Sequence, residues 1–263
     1  MDLGQVFTNR IVADYMVSLF SLDKSARIID PCFGNGSFLS ALKKKNYKNV
    51  SGCEIDKTLF NDVKKTFEDY SLLNADFLSL DTEKVSGIIM NPPYIRQEKI
   101  DNLASFGITK SLLRKNHLFG QLPSTANMYM YFIVKAISLL KENGELIVIF
   151  PGSWITARCG KQFEKVIYSQ CKLVEQIYLS GNVFEKNVLT DVITLKLKKI
   201  TDDISPKIKY LMFSNGNFLE QKTNASKLQL DFSNSFDSYG IIRRGMSTGY
   251  NSMYINPPFE MVE

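Results

Sequence analysis

The residue types and spacings in this 263-residue chain that suit chemistry are a glycine turn, three acids and one Asn-Pro-Pro-Tyr tetrapeptide. Asp30-Pro31-Cys32-Phe33-Gly34-Asn35-Gly36 follows a short apolar run and precedes an amphipathic stretch. Gly34 and Gly36 allow a tight turn with no Cβ in the way, so a ligand can approach the backbone from Cys32 to Gly36. The helix expected next adds a partial positive charge at its start. No third glycine completes the G-x-G-x-x-G of pyrophosphate loops, and an acid ends the preceding strand. That combination suits a ligand with a cationic amino-acid end better than a pyrophosphate.

Glu54 ends the next apolar run, where an acid commonly holds ribose hydroxyls, and Ile55 behind it is placed to cover one face of a purine. Asp76, after the third run, is an acceptor for an adenine amino group, and Phe77 is expected to pack on the ring. Three acids at the ends of consecutive strands point to a nucleoside site. Asn91-Pro92-Pro93-Tyr94 follows a fourth apolar run. Its prolines remove two backbone donors and stiffen the loop, while the carbonyls before them stay free. Asn91 offers an amide oxygen as acceptor and Tyr94 a flat face. The tetrapeptide is suited to holding a planar amino group and stacking its ring.

Composition narrows the chemistry further. The single histidine, His117, leaves no basis for a histidine-rich metal site, and the four cysteines form no CxxC pair. No metal is expected, and the thiols read as reduced, as in a prokaryotic cytoplasm. The start of the chain lacks a basic signal region, and no apolar run approaches the ~18 residues of a membrane helix. A net charge of +5 is compatible with a polyanionic partner without requiring one.

The elements that must position these residues alternate. Strands are expected at 27–31, 50–54, 71–74, 86–90, 145–150, 173–179 and 191–197. Helices are expected at 9–21, 37–45, 57–70, 127–141 and about 160–170. Ile11, Val12, Tyr15, Met16, Leu19 and Phe20 form the apolar face of the first helix, with Thr8 or Asn9 as its cap, and Gly144 closes the helix ending at Lys141. Alternation of this kind gives an α/β, doubly wound, mostly parallel seven-stranded sheet. Its last two strands are too close for a crossover and form an antiparallel hairpin. Residues 1–200 read as one domain, and 201–263 as a linker, one further strand near Lys207–Phe213 and a loop-rich region. Residues 95–126 are irregular and carry Arg96, Lys99, Lys110, Arg114, Lys115 and His117, a candidate phosphate-contacting surface. Trp154 and the cluster Tyr129, Tyr131 and Phe132 read as core.

The ordered set resembles the S-adenosylmethionine-dependent adenine-N6 DNA methyltransferases of the γ arrangement. The likeness is to the Taq-type enzyme and to the methyltransferase part of type IIG-like restriction–modification enzymes. Gly4-Gln5-Val6-Phe7-Thr8 is similar to their N-terminal motif, and Asp30-Pro31-x-x-Gly34-x-Gly36-x-Phe38 to their glycine loop. Asn127-Met128-Tyr129-x-Tyr131-Phe132 resembles a helix usually written Asp-Leu-Tyr-x-x-Phe. Leu146 to Trp154, Val183-Phe184-x-x-x-x-Val188-x-Thr190 and Ile242-Arg243-Arg244-Gly245-x-x-Thr248-Gly249 resemble later motifs. A second Asn-Pro-Pro, at Asn256, has no buried strand before it and reads as a loop.

The resemblance implies a Rossmann-like class I methyltransferase fold with S-adenosylmethionine as cofactor. Thr8, Asp30, Cys32, Gly34, Gly36, Glu54, Ile55, Asp76 and Phe77 would hold the cofactor, Thr8 at its methionine end. Asn91, Pro92, Pro93, Tyr94 and Phe184 would act on a flipped-out adenine in duplex DNA, with Phe184 on the face opposite Tyr94. The chain stops where a target-recognition region should begin, so a recognition domain or specificity subunit is expected outside it. Asn-Pro-Pro-Tyr alone also occurs in RNA and protein-glutamine methyltransferases, and a weakly active DNA-binding fragment is a further alternative. A nicotinamide-dependent dehydrogenase is disfavoured by the short glycine turn.

Overall fold

The computed structural model describes residues 3–155, 157, 159–185 and 191–221. Their centre is one sheet in the order β3-β2-β1-β4-β5-β7-β6-β8-β9. The strands are β1 (Ile28–Asp30), β2 (Val50–Glu54), β3 (Ser71–Asn74), β4 (Val85–Met90), β5 (Leu140–Pro151), β6 (Lys172–Gly181), β7 (Val192–Lys198), β8 (Lys207–Ser214) and β9 (Asn217–Glu220). Strands β1 to β5 run parallel, and β7 runs antiparallel between β5 and β6. All seven expected strands are present, including the antiparallel hairpin.

The sheet has nine strands rather than seven, because β8 pairs parallel with β6 and β9 returns antiparallel on β8. The two strands after residue 200 therefore extend the main sheet on one side. An amphiphilic edge hairpin of this kind buries only Leu211 and Phe213 fully, so its apolar signal is weak.

Helices cover both faces, which is why β4 and β5 read as continuous apolar runs. The helices are α1 (Arg10–Ser18), α2 (Ser37–Lys44), α3 (Lys57–Lys64), α4 (Lys110–Lys115), α5 (Met128–Leu139) and α6 (Gly160–Tyr168). Side chains of α1, α2 and α3 join one core, and those of α5 and α6 the other. Asn9 caps α1 by accepting from the Ile11 N–H at 2.9 Å. The buried face of α1 is Val12, Ala13, Met16 and Val17, turned from the expected one, and Ile11 is 44% exposed. Packing of α1 on α2 selects this face, with the small Ala13 inside it. The reversal after α5 is made by Asn143 at φ 61°, not by Gly144, which lies in β5. Asparagine tolerates that left-handed conformation.

One buried ion pair pins the segment after α1 to the sheet. Lys196 Nζ on β7 lies 3.2 Å from Glu145 Oε1 on β5, with both side chains under 10% exposed. Lys196 also donates to the Leu19 carbonyl at 2.6 Å and to Ser21 Oγ at 2.7 Å, and the Ser21 N–H donates to Glu145 Oε2 at 2.9 Å. Every polar atom of the pair thus has a partner inside the protein. Removing one member strands the other charge in the core, at a typical cost of about 3–5 kcal/mol. Lys196→Met should lower the unfolding free energy by roughly that amount in urea titrations, and adding Glu145→Gln should recover part of it. An unchanged midpoint for Lys196→Met would show the pair to be energetically idle.

Candidate active site

Strand order reverses at β1, which has β2 on one side and β4 on the other. Crevices at the carboxyl ends of strands around such a point are where open α/β sheets bind ligands. The ends of β1, β2, β3 and β4 here deliver Asp30, Glu54, Asp76 and Asn91 to one rim. Glu54, Asp76 and Asn91 border a cleft of about 820 Å³, counting the open solvent at its mouth, whose lining also includes Thr8, Cys32, Gly34, Ile55, Phe77 and Pro93; Asp30, Gly36, Pro92, Tyr94 and Phe184 are not among its lining residues.

The glycine loop is built as its residues suggest. Gly34 and Gly36 have φ of 52° and 80°, and Gly36 is the cap of α2. A Cβ on Gly34 would sit 3.2 Å from the Phe7 ring, so the N-terminal segment closes directly on the turn. Glu54 shapes the loop from below: Oε2 accepts from the Gly34 N–H and Oε1 from the Asp56 N–H, both at 2.9 Å. Asp30 is completely buried. Its Oδ1 accepts from the Cys32 N–H at 3.3 Å, and its Oδ2 has no partner. Burial pushes the Asp30 carboxyl well above the usual range, with the Glu54 charge adding to the shift. Burial raises Glu54 as well, against the opposing bonds from the Asp56 and Gly34 N–H groups. The loop is tied sideways to β4 by the Cys32 thiol, which donates to the Asn91 carbonyl at 3.3 Å.

Asp76 caps the turn after β3, accepting from Leu78 N–H at 3.0 Å and Ser79 N–H at 3.2 Å. Phe77 packs on Phe132 with ring centres 5.5 Å apart and is only 1% exposed. It forms the floor of the cleft more than a free stacking surface. Ile55 is partly buried at the rim.

The Asn91 side chain is clamped from one side. Its Nδ2 donates to the Val6 carbonyl at 2.7 Å and to Thr8 Oγ1 at 3.1 Å. A carbonyl can only accept, so the amide nitrogen must face Val6. The opposite end, Asn91 Oδ1, is buried without a partner. The Pro92 carbonyl accepts no hydrogen bond from the described residues. Tyr94 is held by its N–H donating to the Gly4 carbonyl at 3.1 Å, and its hydroxyl is buried and unpartnered. Burial of that phenol, reinforced by Cys32 and Tyr129, raises it well above its ordinary value.

Phe184 is brought to this place by the N-terminal segment. Thr8 and Phe184 form an antiparallel bridge, the Asn9 N–H donates to the Val183 carbonyl at 2.9 Å and the Glu185 N–H to the Phe7 carbonyl at 3.0 Å. Its ring meets Tyr94 edge-on, 6.0 Å between centres at 79°. The two rings are adjacent but form no parallel slot, and the edge-to-face geometry is one that aromatic pairs favour. Val188, Thr190, the Arg243-Arg244-Gly245 motif and Asn256 lie outside the described residues.

Several contributors escape a reading by motif. The Val6 carbonyl and the Phe7 ring act through the backbone path of the first eight residues. Asn127 Oδ1 accepts from the Gln97 N–H at 3.0 Å, and the Met128 N–H donates to the Ile95 carbonyl at 3.0 Å. These bonds fasten the start of α5 to the chain after Tyr94, a role that asparagine performs in place of the usual aspartate. Ile95, Leu103, Ile108, Met128 and Phe132 give the cleft an apolar wall. Trp154, Tyr129, Tyr131 and Phe132 are all buried. In the stretch 95–126, Arg96, Lys99, Arg114, Lys115 and His117 are exposed, and none forms an ion pair among the described residues.

Residues 18–184 match the Eco57I restriction-modification methylase family. Type II methyltransferase M.HincII of Haemophilus influenzae is 29% identical over 201 residues, covering 76% of this chain and 38% of that protein. Type II methyltransferase M.AccI of Acinetobacter calcoaceticus is 27% identical over 293 residues, covering 95% of this chain and 52% of that protein. The chain therefore spans about half the length of these relatives or less. In fold it is similar to the type I restriction-modification system methyltransferase subunit of Streptococcus thermophilus, with a TM-score of 0.61 at 17% identity over 82% of this chain and 50% of that one. It is also similar to DrdV as seen in a complex with DNA, with a TM-score of 0.59 at 17% identity over 85% of this chain and 31% of that one. The family match runs unbroken from the end of α1 to Phe184, through the glycine turn and the clamped Asn91, and this chain belongs to the Eco57I restriction-modification methylase family.

Proposed function

We propose that this chain is the catalytic part of a site-specific DNA methyltransferase that methylates N6 of a flipped-out adenine. The observation that carries the reading is the buried, unpartnered Asn91 Oδ1, on a residue that lines the cleft together with Glu54 and Asp76. S-adenosylmethionine fits the residues present. The glycine turn presents Cys32 and Gly34 to the cleft beside Phe7, Glu54 keeps lone pairs free for ribose hydroxyls, and the buried, orphaned Asp30 Oδ2 suits the cationic amino-acid end of the cofactor. When bound, the cofactor supplies an electrophilic methyl group on a sulfonium.

The residues of the chain act on the acceptor. The exocyclic nitrogen of adenine is a poor nucleophile because its lone pair is delocalised into the ring. Asn91 Oδ1 and the Pro92 carbonyl are two acceptors for its two hydrogens, and accepting both favours a pyramidal nitrogen with an available lone pair. Positioning and preorganised dipoles then lower the barrier. No base is needed before transfer, since the proton leaves afterwards. An adenine inside a duplex cannot reach the cleft and must flip out. Tyr94 would stack on one face of it and favour the developing positive charge by about 0.5–2 kcal/mol. Phe184 would turn from its edge contact to take the other face, with stacking of roughly 1–3 kcal/mol. Pro93 stiffens the turn that presents both carbonyls. Exposed Arg96, Lys99, Arg114 and Lys115 supply unpaired cations for phosphates.

Two measurements follow. Asn91→Ala should lower the rate of methyl transfer from labelled cofactor to DNA by about a hundredfold or more. Cofactor affinity by calorimetry should hold within about threefold, since the interaction belongs to the transition state. Full activity of the variant would refute the role of Asn91. The second concerns the cofactor-free protein. A carboxyl whose folded pKa lies above its unfolded value of about 3.9 stabilises the fold fully only below that value, and loses this contribution as pH rises through the folded pKa. Asp30 and Glu54 are both raised, so stability should fall as pH rises from about 4. Asp30→Asn should melt higher than the wild type at neutral pH, by a gap that grows with pH, and added cofactor should narrow it. Parallel melting curves for the two proteins would show that Asp30 is not a destabilising buried acid.

A further inference from the structure

The hydroxyl of Thr8, which lines the cleft, also stands where the methyl-transfer reading needs an anchor for Asn91. Asn91 Nδ2 has two hydrogens and two acceptors, the Val6 carbonyl and Thr8 Oγ1. The Val6 bond decides which end of the amide is nitrogen. Alone, it leaves the amide free to rock about the N···O line. A second acceptor off that line fixes the plane, and with it the direction of Oδ1. Thr8 is that acceptor. It is 3% exposed, and its backbone is held by the bridge to Phe184 and by the flanking bonds from Phe7 and Asn9 to 183–185, so its Oγ1 cannot drift. Donation from Nδ2 also polarises the amide and makes Oδ1 a stronger acceptor.

We propose that Thr8 is a positioning residue for the reaction: its hydroxyl sets the plane of the Asn91 amide so that Oδ1 meets the amino group of the target base. The same residue, through its backbone bridge, ties that amide to the stacking ring of Phe184. The proposal rests on the methyl-transfer reading of Asn91. It adds to the expectation that Thr8 binds the methionine end of the cofactor: accepting from Asn91 uses one lone pair of the hydroxyl and leaves its O–H free to donate.

The test compares Thr8→Val, which keeps the shape and loses the acceptor, with Thr8→Ser, which keeps the acceptor and loses a methyl. Three quantities are measured on the whole chain: hydrogen exchange of the Asn91 side-chain amide by NMR, assigned by its absence in Asn91→Ala; cofactor affinity by calorimetry; and single-turnover methyl transfer to DNA. Thr8→Val should speed amide exchange at least about tenfold. It should slow transfer by about ten- to a hundredfold, well beyond any loss of cofactor affinity. Thr8→Ser should restore wild-type exchange and rate. Unchanged amide exchange in Thr8→Val overturns the proposal. So does cofactor affinity that falls in step with rate, which would make Thr8 a cofactor ligand only, or a Thr8→Ser protein no better than Thr8→Val, which would make its role packing alone. The exchange measurement needs no turnover. A failure of the methyl-transfer reading would appear separately, as an Asn91→Ala protein that retains wild-type transfer.

Discussion

The site depends on one side-chain amide, that of Asn91, whose nitrogen is fully bonded and whose oxygen is not. Leaving a buried acceptor without a partner costs about 1–3 kcal/mol, and the amide would escape that cost by rotating if it were free. It is not free, because the Val6 carbonyl and Thr8 Oγ1 hold the nitrogen from a segment that is itself hydrogen-bonded at several points. That segment leads into α1, and the chain after α1 is pinned to the sheet by the Lys196–Glu145 pair. The unpaired oxygen is thus maintained by a path of contacts from the sheet interior, through the first helix, to the loop after β4.

Charge is distributed to match. The ends of β1 and β2 hold Asp30 and Glu54 with no lysine or arginine acting on either among the described residues, and both carboxyls are raised by burial. Cys32, which shares their pocket, is raised by burial and by both acids, so it serves as a hydrogen-bond donor to Asn91 and not as a nucleophile. In the stretch 95–126, Arg96, Lys99, Arg114, Lys115 and His117 are exposed and form no ion pair among the described residues, whereas Lys110 is half-buried and donates to Gln97. The cleft therefore favours a ligand carrying positive charge inward, while the surface beside it favours a polyanion.

Much of this was legible in the sequence because the informative residues are local. A strand followed at once by Asp-Pro-x-x-Gly-x-Gly, or by Asn-Pro-Pro-Tyr, carries both its chemistry and its position at the carboxyl end of that strand. What could not be read is long-range. The bond from Asn91 to Val6 joins residues 85 apart in the chain, and no pattern near either residue announces it. The edge strand β9 is short and mostly exposed, so it has little apolar alternation. The turned face of α1 was set by its packing on α2, and the turn at Asn143 by a conformation that glycine beside it would equally have taken. Phe184 was placed beside Tyr94 by motif, but the angle between their rings depends on what fills the space between them.

The central claim is that the acceptor fixed at Asn91 serves the amino group of adenine. It is tested most directly by the identity of the methylated base. Unmethylated DNA incubated with the protein and cofactor bearing a deuterated methyl group, then digested to nucleosides, should yield the label as N6-methyldeoxyadenosine by mass spectrometry. Label in N4-methyldeoxycytidine, or in RNA or protein in preference to DNA, would contradict the account.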